Sequence, residues 1–341
     1  MNYQIDRVKL IRITVVALSI ALSIMVFVCN SFFGTAVRKD QVIYLSSRTL
    51  AESDYKEVMD SLVMDYITRK KAFKIYAKRL NLDSSIRPGR YHLKKRASVI
   101  DVVRMLKIGI EEPLKVTFNN IKTTEQLAGR LSAQLEADSI SLLEAFRQEE
   151  LSSGDKMLSL IIPNTYELYW TTTPEDLIKR MRRESDRFWN TSREEKRKKL
   201  GMSRNEVMTL ASIVGEESNK TDEMARIAGV YLNRLNRKMR LQSDPTVKYA
   251  TGDFTLKRIL NEHLAIDSPY NTYKYRGLPP SPISMPSIAA IDGVLNSEKH
   301  GYLFFCARPS LDGYHDFEVS YDRHLENARR YQAQLNSMNI K

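Results

Sequence analysis

The stretch RNEVMTLASIVGEES, from Arg204 to Ser218, predicts the helix around which the C-terminal part of the chain is built. Its apolar residues recur at the i, i+3, i+4 and i+7 spacing of a helix that buries one face. These residues are Val207, Leu210, Ala211 and Val214. We therefore expect a core helix that carries two adjacent glutamates at its C-terminal end.

The two glutamates are predicted to have different surroundings. At about 100° per residue, Glu217 falls beside Leu210 on the apolar side, whereas Glu216 falls opposite with Thr209 and Ser212. Burial raises the pKa of a carboxyl group, so Glu217 is a candidate to hold a proton near neutral pH and donate it to a leaving group. Glu216 is expected to remain a surface anion. Alternatively, Glu217 is only a helix-end residue hydrogen-bonded to a neighbouring loop.

Two proline-containing polar segments follow this helix. Residues 239–246 predict a loop that could present hydroxyl, amide and carboxylate groups to a sugar. Residues 268–283 predict a second irregular region with three tyrosines close together. Tyrosine faces stack on sugar rings and amides bind sugar hydroxyls, which suits carbohydrate binding, although a purely structural role fits the composition equally well.

The N-terminal region contains an uncharged apolar run from Ile13 to Cys29. This run is about long enough for a helix to cross a bilayer. Basic residues precede it at positions 7, 9 and 12, which favours an N-terminus inside the cell and a chain that continues outside the cytoplasm. A cleaved signal peptide is the alternative, but the run is longer than a usual signal core and lacks a small-residue cleavage site.

The length of 341 residues predicts about two domains. We expect an α+β fold with a tail at 1–12, a transmembrane helix at 13–34 and domains at 35–111 and 112–341. Strands are predicted at 41–45, 87–93 and 113–118, and helices at 53–66, 70–80, 99–108, 123–135 and 139–147. The charged stretch 176–199 predicts a solvated helical face.

Composition and motifs exclude several classes of function. The net charge of +12 predicts an electrostatic attraction, which we expect to act on anionic lipid or an acidic cell wall rather than on nucleic acid. Of the two cysteines, Cys29 lies in the membrane segment, so no disulfide framework is available. The five histidines form no metal-binding pattern, and a serine-hydrolase elbow and a phosphate-binding glycine loop are both absent. We expect neither a metal nor another cofactor.

Five sequence blocks in order resemble the MltG/YceG-like endolytic murein transglycosylase family. They are Ala211–Glu217, Tyr231–Leu235, Leu241–Thr246, Tyr270–Tyr273 and Gly277–Pro280. The stretch Pro163–Tyr166 is similar to the family's Pro-Asp-Thr-Tyr element, with Asn164 in place of its aspartate. The stretch around Pro88–Tyr91 is similar to the family's LysM-like subdomain, which the resemblance assigns to residues 35–111.

The resemblance also implies site residues. The family usually reads Ile-Val-Glu-x-Glu where this chain has Ile213–Glu217, and the second family glutamate, the catalytic one, corresponds to Glu217. The first corresponds to Gly215, so its role is missing or has passed to Glu216. Substrate binding is implied for Thr165, Tyr166, Asn233, Gln242, Ser243, Asp244, Thr246, Asn271, Thr272 and Tyr273.

The implied activity is non-hydrolytic cleavage of the MurNAc–GlcNAc β-1,4 bond within peptidoglycan strands, leaving 1,6-anhydro ends and terminating strand growth. The implied setting is the bacterial cytoplasmic membrane, with peptidoglycan synthases as partners. Two alternatives stay open: a non-catalytic wall-binding scaffold for synthases, and a muramidase that hydrolyses through Glu217 and Asp244.

Overall fold

The computed structural model describes residues 7–53, 55–62, 64–256 and 258–338. The chain divides into two compact units, the first formed by Met1–Leu114 with Glu167–Thr172 and the second by Lys115–Tyr166 with Thr173–Lys341. The domain boundary at 111–112 stays a prediction, and the return of Glu167–Thr172 to the first unit was not predicted. The expected α+β class is confirmed. Part of the predicted tail, residues 1–6, lies outside the described residues.

The N-terminal helix α1 spans Arg7–Phe33 and has no buried residue. It starts before the predicted Ile13 because the basic residues ahead of the apolar run continue the helix. Thr14 and Ser23 donate their hydroxyls to the carbonyls of Leu10 and Ser19, at 2.9 and 2.8 Å, which satisfies these polar groups within the helix. Within the described ranges, α1 is the one helix long and apolar enough to cross a membrane, as a single-pass anchor requires.

The first unit contains a two-stranded antiparallel sheet. Strand β1 (Gln41–Leu45) has the predicted bounds and pairs with β2 (Gly89–Leu93), with Ile43 opposite Tyr91. Helix α5 (Val99–Ile108) also has the predicted bounds. The single helix predicted at 53–66 is wrong, because the chain there forms separate short pieces. The remaining helices are α2 (Ser47–Glu52), α3 (Tyr55–Leu62) and α4 (Lys70–Arg79), with 3-10 turns at Met64–Tyr66 and Leu82–Ser84.

A second two-stranded sheet pairs β3 (Leu114–Thr117) with β4 (Thr165–Leu168). Between these strands lie α6 (Thr124–Ser132), α7 (Ser139–Ser153) and α8 (Met157–Leu160). The charged stretch that follows forms two helices, α9 (Pro174–Phe188) and α10 (Thr191–Leu200). Helix α10 has no buried residue, as expected of a solvated face, whereas α9 buries one side, which includes Leu177 and Met181. The break lies at Asn190, whose side chain accepts the Arg193 N–H and so starts α10.

Helix α11 (Arg204–Glu217) lies at the centre of the second unit, and all residues from Val207 to Val214 are buried. The prediction of an exposed polar side is therefore wrong for Thr209 and Ser212. Other helices surround α11, and the Ser212 hydroxyl is satisfied inside the core by donating to the Thr209 carbonyl at 2.7 Å. The surrounding helices include α8, α12 (Met224–Asn236), α13 (Asp244–Thr251) and α15 (Ile288–Leu295).

The remaining elements complete the second unit. The predicted loop 239–246 ends early, because Asp244 begins α13 and Pro245 occupies its first turn, where the missing proline N–H costs no helical hydrogen bond. Residues 268–283 are irregular, as predicted. The last elements are α14 (Asn261–Leu264), the antiparallel pair β5 (Phe304–Ala307) and β6 (His315–Glu318), and α16 (Tyr321–Ser337).

Candidate active site

Glu217 is the last residue of α11. The helix starts at a capping box between Ser203 and Glu206 and ends where Ser218 turns to an extended conformation. The carbonyl end of a helix disfavours negative charge, and no basic residue lies in this last turn to offset it. Glu217 is partly buried, so an edge of the residue reaches solvent beside the core.

Two buried hydroxyl groups hold the Glu217 carboxyl group. The Tyr231 hydroxyl, on α12, donates to Oε1 at 2.6 Å, and the Ser243 hydroxyl, just before α13, donates to the same oxygen at 2.5 Å. Tyr231 is 2% exposed and Ser243 1%. Among the described residues, both hydrogen bonds to this carboxyl group end on Oε1. Oε2 is therefore the oxygen left for another partner.

The surroundings of Glu217 raise its pKa above the ordinary value for glutamate. Burial is the largest cause, and the charge of Asp244 adds to it. The hydrogen bonds from Ser243 and Tyr231 and the charge of His315 act in the opposite direction, since they favour the carboxylate. This balance suits a group that must both donate and accept a proton.

Ser243 is itself fixed by a buried pair of threonines. Its backbone N–H donates to the Thr272 hydroxyl at 3.0 Å, and its carbonyl accepts the Thr246 hydroxyl at 2.7 Å. The two threonine hydroxyls are 2.8 Å apart. The preceding Gln242 has a left-handed backbone with φ of 52°, which side chains disfavour, and its N–H donates to the Thr272 carbonyl at 3.2 Å. The threonines thus position Ser243 from inside the core.

Asn271 and Tyr273 form a second support. The buried Asn271 amide donates to the carbonyls of Leu264 and Ile266 at 2.9 and 2.8 Å, and its oxygen accepts the Tyr273 N–H at 3.0 Å. The Tyr273 hydroxyl donates to Asp244 Oδ1 at 2.6 Å. This places a second carboxylate, held by a tyrosine, next in the chain to Ser243.

The remaining predicted binding residues make their contacts elsewhere in the second unit. The Asn233 amide donates to the carbonyls of His300 and Tyr302 at 2.8 and 3.0 Å. The Thr165 hydroxyl lies 2.9 Å from that of Thr117, and the buried Tyr166 hydroxyl donates to the Ile162 carbonyl at 2.6 Å. The hydrogen bonds described for these three residues thus hold the fold together and do not reach Glu217.

Tyr231 was not among the predicted site residues, although it lies in one of the matching sequence blocks. The sequence feature that could have identified it is a tyrosine on the buried face of a helix, because a buried hydroxyl requires a hydrogen-bond partner. Periodicity shows that Tyr231 is buried, but it does not show that the partner is Glu217.

The structure shows the surroundings of the two departures from the family pattern, Gly215 and Asn164. A Cβ atom added at Gly215 would lie 3.5 Å from the Cβ atom of Ala290 on α15, so position 215 faces α15. Glu216 pairs with Lys122 at 2.5 Å and does not bond Glu217. The Asn164 side chain accepts the Thr165 N–H at 2.8 Å, which stabilises the turn before β4.

Comparisons with known proteins identify relatives of this chain. Proteins of two Streptococcus pneumoniae strains, named endolytic murein transglycosylase, are 32% identical over 274 residues, which cover 69% of this chain and 49% of theirs. The chain thus spans about half the length of these relatives. A Bacillus subtilis protein of the same name is 30% identical over 265 residues, covering 72% of this chain and 73% of its own.

A solved structure and a family model extend the comparison. The 2.6 Å crystal structure of a YceG-like protein from Listeria monocytogenes matches with a TM-score of 0.56 and 25% identity, covering 84% of this chain and 98% of that one. The model of the YceG-like family matches residues 50–330, which include Glu217 and every hydroxyl group that contacts it. This chain therefore belongs to the YceG-like family.

Proposed function

We propose that this protein is an endolytic murein transglycosylase in which Glu217 is the catalytic acid and base. The observation that carries the proposal is the partly buried Glu217 carboxyl group, whose Oε1 accepts two buried hydroxyl groups. The names of the S. pneumoniae and B. subtilis relatives support the same activity. The proposed substrate is the glycan strand of peptidoglycan.

In the first step, Glu217 acts as the acid. A carboxyl oxygen has two main lone-pair positions, and on Oε1 Tyr231 and Ser243 occupy both, so the proton of the neutral acid resides on Oε2. Oε2 donates this proton to the glycosidic oxygen between MurNAc C1 and GlcNAc. The C1–oxygen bond breaks, and the GlcNAc side leaves as a free hydroxyl.

In the second step, the same residue acts as the base. The C6 hydroxyl of the MurNAc ring attacks its own C1, which forms the C6–O–C1 bridge of a 1,6-anhydro sugar. The Glu217 carboxylate takes the C6 hydroxyl proton on Oε2, which restores the acid. No water is consumed, so one carboxyl group is sufficient for both steps.

Asp244 distinguishes this mechanism from hydrolysis. A muramidase needs a second carboxylate that attacks C1 or activates water. In this site Asp244 Oδ1 accepts the Tyr273 hydroxyl, and the negative charge of Asp244 contributes to the raised pKa of Glu217. We assign Asp244 this positioning and electrostatic role and keep the hydrolytic role as an outcome of the test.

The test is incubation of the detergent-solubilised full chain with peptidoglycan, followed by mass spectrometry of the products. The wild type is expected to give 1,6-anhydro ends, and Glu217→Gln to lose about 10²- to 10⁴-fold of the rate, the usual contribution of a general acid and base. Glu195→Gln, on the exposed surface of α10, is the matched control and should keep full activity.

Three results would contradict the proposal in different ways. Unchanged cleavage by Glu217→Gln would remove the residue from the mechanism. Reducing ends that disappear with Asp244→Asn would indicate a muramidase. Binding of peptidoglycan by the wild type without any cleavage would favour a non-catalytic scaffold for wall synthases.

We further propose where the protein acts. The basic residues at positions 7, 9 and 12 favour an N-terminus of α1 in the cytoplasm, so we propose that the rest of the chain lies outside the bacterial cytoplasmic membrane. The small α+β unit that follows α1 is proposed to act as a LysM-like wall-binding module. Peptidoglycan synthases are the proposed partners, because they produce the strands that the enzyme would cut.

A further inference from the structure

A cavity of about 810 Å³ opens beside the candidate active site in the second unit. One side is formed by the start of α13, where Asp244 directly follows the serine that bonds Glu217. The rest of the lining includes Leu256, Arg258 and Ile259 and the last turns of α16, including Leu335. The cavity is therefore close enough to the catalytic carboxyl group to receive part of the same substrate molecule.

Two basic side chains, Lys248 and Arg258, line this cavity together with the carboxylates of Glu216 and Asp244. Glu216 is paired with Lys122, and Asp244 accepts the Tyr273 hydroxyl. Lys248 lies four residues after Asp244, so both project from one face of α13, about 6 Å apart along the helix axis. Within the described part of the chain, neither cation lies within the 4.0 Å ion-pair distance of a carboxylate. Asp253, whose pKa the charge of Lys248 helps to lower, has Oδ1 engaged by the Thr255 hydroxyl and N–H.

Other basic residues of the second unit have acidic partners. Lys122 pairs with Glu216 at 2.5 Å, and Arg193 pairs with Asp292 at 2.9 Å. Two cations in one cavity without such a partner favour an anionic ligand, because a carboxylate there would gain charge-assisted hydrogen bonds. Leu256, Ile259 and Leu335 add apolar surface to the same cavity, which suits short alkyl side chains.

We propose that Lys248 and Arg258 bind a carboxylate of the peptide stem carried by the sugar at the cleavage site. This inference rests on the proposed function, since that substrate provides the stem. A strand stripped of peptides keeps only the lactyl carboxylate on C3 of each MurNAc, whereas the stem adds further carboxylates and alkyl side chains and extends from that lactyl group, two ring carbons from C1. The enzyme should accordingly prefer peptide-bearing strands to bare ones.

Binding is measured first, without cleavage. Calorimetry with the full-length Glu217→Gln protein and a soluble disaccharide carrying its peptide stem should show about tenfold weaker affinity when Lys248→Gln and Arg258→Gln are added, as expected for lost hydrogen bonds to a charged group. Amidating the stem carboxylates should weaken binding to the unmodified cavity by a similar factor. Lys198→Gln with Lys199→Gln, on the exposed surface of α10, removes the same charge and should leave the affinity unchanged.

Cleavage is measured second, on intact strands and on strands stripped of peptides. The enzyme should show about tenfold higher kcat/KM on intact strands, and the Lys248→Gln, Arg258→Gln enzyme should lose this preference while still cutting stripped strands. Equal affinity for amidated and unmodified stems would overturn the stem site and leave the proposed activity standing. If neither intact nor stripped strands are cleaved, the proposed activity is overturned. The calorimetry then tests by itself whether Lys248 and Arg258 bind a carboxylate.

Discussion

At the scale of single residues, the protonation of Glu217 depends on groups that oppose one another. Burial and the charge of Asp244 raise its pKa, whereas hydroxyl donors from Tyr231 and Ser243 lower it. The donors come from two different elements, α12 and the residue before α13, and both end on one oxygen. The acid strength of Glu217 can therefore be changed by removing one hydroxyl group while the carboxyl group stays in place.

Tyr231→Phe tests this balance. The lost hydrogen bond stabilised the carboxylate, so the pKa of Glu217 should rise further. Since the first step requires the protonated acid, the descending high-pH limb of kcat/KM should move to higher pH. The measurement is the pH profile of cleavage, with Tyr169→Phe, an exposed tyrosine, as the control that leaves the limb in place. A limb that moves to lower pH would show that Tyr231 does not stabilise the anion.

Several of these residues could be selected from the sequence, but their hydrogen-bond partners could not. Helical phase and the family pattern both selected Glu217, whose catalytic role stays a prediction until it is tested. Ser243 and Thr246 were predicted to bind substrate, which also stays a prediction, and the structure shows that Ser243 bonds to Glu217 and Thr246 to Ser243. Glu217 and Ser243 lie 26 residues apart, one at the end of α11 and the other just before α13, and periodicity within one element does not specify such a pair.

At the scale of elements, α12 is tied to its surroundings by the buried Arg234. Its Nε donates to the Leu303 carbonyl at 2.6 Å and its Nη1 to the Leu241 carbonyl at 2.7 Å. These bonds connect the helix that carries Tyr231 to the segment just before Ser243. One guanidinium group therefore helps to fix the relative positions of Tyr231 and Ser243, which donate hydrogen bonds to Glu217.

Arg234→Met should destabilise the second unit. Each carbonyl left without its partner in the core costs about 1–3 kcal/mol of folding free energy. Arg234→Lys should rescue little, because one ammonium group does not reproduce the planar fork that reaches both carbonyls. Urea unfolding of the full chain measures the loss, and Arg237→Met, exposed one turn further along, is the control. Equal midpoints for the two methionine variants would contradict this structural role.

The elements themselves were predicted unevenly. Strand β1 and helix α5 have the predicted bounds. For α5, the helical spacing of apolar residues is supported by clear end signals, the Ser98–Asp101 capping box and Gly109. The helix predicted at 53–66 is replaced by shorter pieces, although its apolar spacing looked continuous. Apolar spacing alone does not locate the ends of a helix.

At the scale of the whole molecule, α1 is expected to attach the protein to the membrane. Replacing Leu18 and Leu22 by arginine places two charges near the middle of the helix, at a cost of about 2.5–3.5 kcal/mol for each residue. The variant should leave the membrane fraction in carbonate extraction, whereas Leu18→Ala with Leu22→Ala should stay in it. Retention of the arginine variant in that fraction would mean that other parts of the chain suffice for attachment.

Chain length predicted two units, but the path of the chain between them was not predictable from local patterns. The first unit includes Glu167–Thr172, which follow about fifty residues of the second unit. Trp170 packs edge-on against Tyr44 with ring centres 5.1 Å apart, and the Thr171 hydroxyl donates to Glu111 at 2.7 Å. Such long-range contacts leave no periodic signal in the sequence.

This return of the chain sets an order for folding during synthesis. A ribosome that has reached Leu114 has not yet made the segment that the first unit needs, and at about 5–20 residues per second it takes roughly 3–12 s to reach Thr172. Until then, the surface that Trp170 covers on Tyr44 stays open. We therefore expect the first unit to finish folding only after Lys115–Tyr166 of the second unit have been synthesised, so that the folding of the two units overlaps in time.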